Sequence, residues 1–217
     1  AELRLSEPMV ATWGQRFILR RISPAITLGG GTILDPHIPD MHRTRDIESV
    51  AQQLASPSPA ERLSARLRQR DLVSSSDLTL ASSIGVMPDE LQQLLATLRA
   101  EGKLLQPGRG DKAFEIHTER LESLAGSVLR TIRNEVIQHQ PRRSLPKPTL
   151  LTACRSITSS NLLEFILDHL VKKKKLVELG ANLGPTDLQV QLTKQQRKNR
   201  DELLRQISAA GLTPPTL

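Results

Sequence analysis

Aromatic residues are scarce in this 217-residue chain: they make up 2% of it, with three Phe, one Trp and no Tyr. Its cores must therefore be aliphatic, and leucines on amphipathic helices are the natural way to build them. The single cysteine, Cys154, excludes an internal disulfide and favours a reducing cytoplasm. No apolar run is long enough to span a bilayer, and the first residues do not resemble a signal peptide. We expect a cytoplasmic protein with no membrane partner.

Catalytic and cofactor motifs are also missing. The sequence has no GxxxxGK[ST] loop, and Gly29-Gly30-Gly31 has no Lys-Ser or Lys-Thr after it, so we interpret it as a tight turn between strands. His37, His42 and Cys154 do not form a metal-binding set, and Cys154 is expected to be an ordinary helix cysteine. No convergent acid, base and nucleophile set is visible. We expect no enzyme activity, metal or cofactor in this chain.

Positive charge is in excess: 30 Lys and Arg against 23 Asp and Glu give a formal net charge of +7. Such a balance favours polyanionic partners, usually nucleic acid, although the excess is diffuse. A length of 217 residues suits one large domain or two to three small ones.

The first 36 residues have a β pattern. Short β-prone runs at 3–5, 9–12, 16–22, 25–28 and 32–34 alternate with turn signals. This small number of strand residues cannot bury a core alone. We therefore predict that residues 1–36 are the end of a larger sheet or barrel whose other strands lie upstream. Their inner face (Phe17, Leu19 and Ile33) should be under-covered or should borrow the helix at 45–54.

The rest of the chain has helical periodicity and repeats itself. After a linker at 37–46, the pattern of residues 47–117 predicts several helices and then a hairpin that turns at 107–110. Ser58 and Pro59 should begin the second helix. On the third helix, Leu78, Ala81 and Ile84 should face inward. Residues 118–193 repeat this order after roughly 70 residues, with a long helix capped by Thr118, an extended connector at 141–148 and a hairpin turning at 182–185. Helix, short helix, longer helix and two-stranded hairpin is the winged-helix plan. Residues 194–217 predict the first helix of an incomplete third copy.

The N-terminal stretch carries a family resemblance. Arg16-Phe17-Ile18-Leu19-Arg20, the Ser23-Pro24 turn, Thr27-Leu28-Gly29-Gly30-Gly31 and Ile33-Leu34-Asp35-Pro36 resemble the end of the last β-barrel domain of selenocysteine-specific translation elongation factors. Leu28 stands where that family usually has Ile. In the family, a basic linker and a string of winged-helix domains follow, and His42-Arg43-Thr44-Arg45 and the two repeated domains agree with that order. The resemblance therefore covers the whole chain.

This resemblance implies a role in translation. The complete protein would be a monomeric GTPase that binds GTP and Mg, carries selenocysteinyl-tRNA to the ribosome and recognises an mRNA hairpin beside a recoded UGA codon. In the family the last winged helix binds the hairpin, and this chain stops before it. The fold class expected is mostly α with small β, as tandem winged-helix domains behind the last strands of a barrel.

Candidate RNA-backbone residues come from basic clusters. The densest is Lys172-Lys173-Lys174-Lys175, which is either an RNA contact or a solvated helix end favoured by the helix dipole. Further candidates are Arg109 and Lys112 at the first hairpin tip and Arg142 and Arg143 in the connector. The third helices, 88–102 and 159–171, are acidic, and this disfavours reading of a nucleic-acid groove.

Two other functions remain open at this stage. Tandem winged helices also occur in DNA-binding transcription regulators, although the acidic third helices and the orphan barrel strands argue against that interpretation. A winged-helix scaffold for protein interactions is the third alternative.

Overall fold

The computed structural model describes residue 3 and residues 5–36, 44–74, 78–106, 114–189 and 192–210. The chain divides into two compact units, Ala1–Ser123 and Leu124–Leu217. Both contain helices and small antiparallel sheets, so the coarse prediction, mostly α with small β, is confirmed.

The N-terminal sheet has two antiparallel strands, β1 (Arg16–Arg21) and β2 (Ile26–Thr32). The prediction of a tight turn at residues 29–31 is wrong, because these glycines lie inside β2 and the turn lies between β1 and β2. Gly30 and Gly31 allow close packing: a Cβ on Gly30 would lie 2.6 Å from the backbone oxygen of Phe17, and one on Gly31 would lie 3.0 Å from the Phe17 ring. The runs predicted at 9–12 and 32–34 are not separate strands, and residues 3 and 5 also lie outside strands.

The helical part of the first unit follows the leucine pattern. Its elements are α1 (Thr44–Leu54), α2 (Pro59–Gln69), β3 (Val73–Ser74), α3 (Leu78–Ile84), α4 (Pro88–Ala100), β4 (Leu104–Leu105) and β5 (Phe114–His117). Helix α1 includes residues 44–46 of the predicted linker, whereas 37–43 lie outside the described residues. Ser58 caps α2, since its side chain accepts from the N–H of Glu61 at 3.4 Å. The core of this part is aliphatic and consists mainly of Leu63, Leu67, Val73, Leu80, Ala81, Ile84, Leu91, Leu95, Leu98 and Leu104.

Two details of the first unit differ from expectation. Leu78 was predicted to face inward but is 68% exposed, because it begins α3 and Leu80 takes the core position one turn before Ile84. The hairpin strands β4 and β5 gain a third partner, β3, in the order β3-β5-β4. The turn predicted at 107–110 lies outside the described residues.

The second unit holds most of the long helix α5 (Thr118–Gln138). It continues with β6 (Leu145–Pro146), α6 (Lys147–Cys154), α7 (Ser160–Lys172), β7 (Leu176–Leu179), β8 (Asn182–Pro185) and α8 (Lys194–Ala210). All five apolar residues predicted to face inward on α7 are buried, namely Leu162, Leu163, Ile166, Leu167 and Leu170.

Three local predictions for residues 118–193 are wrong. Residues 182–185 form strand β8, and the turn lies at Gly180 and Ala181, where Gly180 has a φ of +64°. The connector 141–148 is not wholly extended, since it contains β6 and the start of α6. Thr118 is the first residue of α5 rather than its cap, and its hydroxyl donates to the carbonyl of Lys103 at 3.3 Å.

The same topology occurs twice along the chain. Helix, strand, helix, helix and two further strands follow one another from α2 to β5 and again from α5 to β8. The three-stranded sheets have the same order, β3-β5-β4 and β6-β8-β7, with the last strand in the middle. The repeat found in the sequence therefore extends to strand pairing.

A buried histidine lies at the end of β5. His117 is 1% exposed, its Nε2 lies 3.0 Å from the Ser64 hydroxyl, and its Nδ1 accepts from the N–H of Glu119 at 3.2 Å. Acceptance at Nδ1 requires the neutral ring, with the proton on Nε2. Burial lowers the pKa of His117, and the Glu119 carboxylate opposes this shift while Arg68 and Lys103 reinforce it.

We predict that His117 makes the stability depend on pH. Its pKa when folded lies below the unfolded value of about 6.5, so the unfolded chain binds more protons. The free energy of unfolding should be fully retained above that pH and fall below it, by at most about 1.4 kcal/mol per pH unit. Urea unfolding between pH 5 and 8 measures this. His117→Gln should flatten the dependence, with His139→Gln, at an exposed position, as the control; equal pH slopes for His117→Gln and the unmodified chain would show that His117 is not responsible.

Candidate nucleic-acid interface

The lysine run forms the end of α7 and its exit into β7. Lys172, the last residue of α7, and Lys173–Lys175 are all exposed. The N–H of Lys174 donates to the carbonyl of Val171 at 2.8 Å, and that of Lys175 donates to the carbonyl of Leu170 at 2.9 Å. This pair of bonds is the Schellman motif, which ends a helix through one residue in the left-handed conformation. That residue is Lys174, with a φ of 57°.

The equivalent helix in the first repeat ends in the same way with a glycine. The N–H of Gly102 donates to Arg99 at 2.9 Å, and that of Lys103 donates to Leu98 at 2.9 Å. Gly102 has a φ of +69° and no atom within 4 Å of a Cβ built on it. Two helix ends with the same geometry thus differ in one respect: Lys174 occupies a conformation that favours glycine.

The backbone beyond the lysine run is fixed by Thr186, which follows β8. Its N–H donates to the carbonyl of Lys175 at 3.2 Å, and its hydroxyl donates to the carbonyl of Lys174 at 2.9 Å. The four ammonium groups are therefore presented from an ordered backbone rather than from a loop held only at its ends.

The other candidate cations have different outcomes. Arg142 and Arg143 are exposed in the short segment between α5 and β6, where the N–H of Arg142 donates to the carbonyl of His139 at 3.1 Å. Arg109 and Lys112 lie outside the described residues.

The two long helices at the third position of each repeat present acidic surfaces. On α4, the cation Arg99 donates through Nε to the buried Glu115 at 2.9 Å. On α7, Glu164 and Asp168 are exposed, and the Nζ of Lys147 lies 3.9 Å from the Asp168 carboxylate. These features favour approach of a polyanion at the end of α7 rather than along either helix.

A second arrangement, which the sequence did not indicate, fixes the N-terminal segment onto the helices of its own unit. The Trp13 indole N–H donates to the carbonyl of Leu54 at 2.8 Å, and the Arg62 guanidinium lies 3.8 Å from the Trp13 ring centroid. Arg62 is itself buried and donates through Nε to the carbonyl of Ile84 at 2.9 Å. A Cβ on Gly85 would lie 2.4 Å from the Trp13 ring, so the indole packs directly on the end of α3.

The same junction contains a buried ion pair. Both guanidinium NH2 groups of Arg66, on α2, donate to the carboxylate of Asp35, and the two side chains are 2% and 8% exposed. No local sequence pattern indicates such a pair, because its partners are 31 residues apart. We call Trp13, Asp35, Arg62 and Arg66 together the N-terminal junction.

The described residues also include side chains that could ligate a metal or act as nucleophiles. No group of three or more His, Cys, Asp or Glu lies close enough there to hold a metal ion. Cys154 is fully buried on α6, and burial, reinforced by Glu135, raises the pKa of its thiol to about 11. A thiol with so high a pKa is a poor nucleophile. None of the helices in the described part of the chain is long and apolar enough to cross a membrane.

These features define a mostly helical protein with a repeated helix and sheet plan and an exposed cationic helix end. The chain is similar to a selenocysteine-specific elongation factor of Desulfomicrobium baculatum, with 27% identity over 220 aligned positions. The match covers 99% of this chain and 34% of the relative, so the chain spans about a third of that protein's length. The family resemblance inferred from the sequence is thereby confirmed. No protein-family model matches the chain.

We predict that the backbone conformation of Lys174 carries a cost in stability. Lys174→Gly should raise the free energy of unfolding by about 0.5 to 1 kcal/mol, because glycine adopts the left-handed conformation without strain. The matched change Gly102→Ala should lower it by about 1 kcal/mol, since only the backbone strain is added there. Urea unfolding of both variants measures these differences. A destabilised Lys174→Gly variant would mean that the lysine is not strained.

Proposed function

We propose that this chain is a module of a selenocysteine-specific elongation factor. In that factor it links the body that binds GTP and selenocysteinyl-tRNA to the tip that binds the mRNA hairpin during UGA recoding. The observation that carries this proposal is the similarity to such a factor along 99% of the chain. The net charge of +7 is consistent with work beside RNA, namely mRNA, tRNA and the ribosome.

We propose that residues 47–117 and 118–193 are winged-helix domains. The repeated element order and the two three-stranded sheets of equal topology support this assignment. Helix α8 then begins a third domain, residues 194–217. Its apolar residues Leu203, Leu204 and Ile207 are each more than half exposed, as expected for a helix whose packing partners belong to a further part of the protein.

The N-terminal sheet is proposed to be the end of an elongation-factor barrel. Two strands alone are marginal in water. Ile18, Ile22 and Leu28 are 72%, 96% and 66% exposed. Of the three residues predicted to be under-covered, Leu19 is 41% exposed, whereas Phe17 and Ile33 are partly buried. Such apolar exposure supports further strands from the rest of the protein covering this sheet.

The N-terminal junction supports a linking role. A linker transmits position between two bodies only if its own parts do not move independently. Trp13 and Asp35, which flank the sheet, are bound to Arg62 and Arg66 of α2 by buried contacts. The barrel end and the first helical domain would therefore move as one piece.

The chain itself is proposed to be neither a GTPase nor a DNA-binding regulator. It lacks a GxxxxGK[ST] loop, so GTP and Mg would bind elsewhere in the full factor. The acidic third helices argue against groove reading of DNA. We propose that the factor is a cytoplasmic monomer.

A recoding reporter tests the proposal in the organism from which the chain comes. Deleting the segment that encodes this chain should abolish readthrough of an in-frame UGA followed by the recoding hairpin, while a reporter with a cysteine codon at that position stays unchanged. Arg66→Met, which breaks the buried pair, should lower readthrough several-fold. Arg68→Met is the matched control, because Arg68 is 32% exposed and its pair with Glu119 at 3.4 Å lies at the surface. Unchanged readthrough after the deletion would refute the assigned function.

A further inference from the structure

Two basic clusters that are separate in sequence meet at one end of the second three-stranded sheet. Strands β6 and β7 both pair antiparallel with β8, which lies between them. They therefore run in the same direction, and their N-terminal ends lie at the same end of the sheet. Arg142 and Arg143 come just before β6, and Lys172–Lys175 come just before β7.

The register places the two clusters close together. Leu145, at the start of β6, pairs with Leu183, and Leu176, at the start of β7, pairs with Pro185. A Cβ on Gly184 would lie 2.2 Å from the carbonyl oxygen of Arg143, so the arginine segment runs directly beside β8. Strands two positions apart in a sheet are separated by about 10 Å.

The Asp187 carboxylate at this end of the sheet is already paired. Asp187 follows Thr186 at the end of β8, and it accepts from the Arg133 guanidinium on α5 at 2.5 Å. This hydrogen bond is the main reason why the pKa of Asp187 is lowered. The cations of this surface are all exposed, namely Arg142, Arg143, Lys172, Lys173, Lys174 and Lys175.

We infer that these six residues form a single surface, the sheet-end surface, that binds the phosphate backbone of structured RNA. The inference relies on the proposed function only for the choice of RNA over other polyanions. Phe165 is the sole Phe, Tyr or Trp between residues 124 and 217, and it is half-buried against His169 with ring centroids 6.4 Å apart. Stacking of unpaired bases needs exposed aromatic side chains. Contacts to phosphates in a folded RNA need only cations held in place.

The conformation of Lys174 adds an independent argument. The first repeat ends its equivalent helix with Gly102 and the same two hydrogen bonds, so the fold does not need a side chain at this point. A lysine held in a left-handed conformation among three other lysines indicates that the charge serves a purpose that offsets the strain.

The test uses this chain and a 16-base-pair RNA duplex of arbitrary sequence, with binding measured by fluorescence anisotropy over a salt series. We expect one duplex per chain and a slope of about −3 or steeper in log K against log salt, from four or more phosphate contacts at 0.7 to 0.9 each. Arg142→Ser/Arg143→Ser and Lys172→Ser/Lys173→Ser should each flatten the slope by about 1.5. A second duplex of unrelated sequence should respond equally, because phosphate contacts carry no sequence information.

Two controls separate the sheet-end surface from net charge and from folding. Lys194→Ser/Lys198→Ser removes two exposed lysines from α8, and it should change the affinity less than twofold. Lys174→Gly should weaken RNA binding several-fold while raising the thermal midpoint, a combination that a damaged fold does not produce.

The inference would be overturned by no binding at low salt, by a salt slope that the arginine pair does not affect, or by equal losses in the α8 control. Tighter binding of a polyglutamate peptide than of the duplex would also overturn it, since an acidic protein would then be the partner. The duplex is not a recoding element. Failure of duplex binding would therefore refute the sheet-end surface and not the proposed function, and failure of the recoding reporter would refute the proposed function and not the sheet-end surface.

Discussion

The buried pair between Asp35 and Arg66 is the interaction on which the first unit depends. Two charges that are 8% and 2% exposed have lost nearly all of their hydration, and their mutual bidentate contact helps to compensate for it. Losing either partner leaves an uncompensated charge in the interior, so the pair specifies one position of the N-terminal segment against α2. Trp13, packed on Arg62 and Gly85, adds to the junction a large aromatic side chain of a kind that is scarce in this chain. The exposed apolar strands are thereby held at a fixed place.

Repetition explains the remainder of the architecture. Each repeat buries leucines from its long helices against a sheet whose middle strand comes last, and each closes its third helix with the same Schellman motif. The two copies differ in charge and conformation. Lys174, one of four consecutive lysines, occupies the position that Gly102 has in the first copy, and an arginine pair precedes β6. One scaffold thus yields a surface in the second copy that the described residues of the first copy do not reproduce at that helix end.

Local periodicity in the sequence was enough to predict the helices, and it failed where contacts are distant. Ser58 and Pro59 at the start of α2 and the five leucine and isoleucine positions of α7 follow from spacing and capping chemistry. The two-residue strands β3 and β6 could not be predicted, since so short a run has no period. The glycines at 29–31 resemble a turn locally, but they lie in a strand, where the Phe17 backbone approaches Gly30 and the Phe17 ring approaches Gly31. In the sequence, Arg66 cannot be distinguished from a solvent-exposed arginine on a helix, because its contact with Asp35 exists only in the folded chain. The candidate cations themselves could be identified from the sequence, but their shared location could be found only from the order of the strands.

The fixed junction is tested most directly by a double-mutant cycle on Asp35 and Arg66. Trp13 is the only tryptophan and lies in the junction, so its fluorescence during urea unfolding reports this part of the chain alone. Asp35→Asn and Arg66→Met should each lower the free energy of unfolding by about 3 kcal/mol or more, and the double variant should lose far less than the sum of the two. Additive losses, or single losses below about 0.5 kcal/mol, would contradict the account, because the pair would then not hold the N-terminal segment in place.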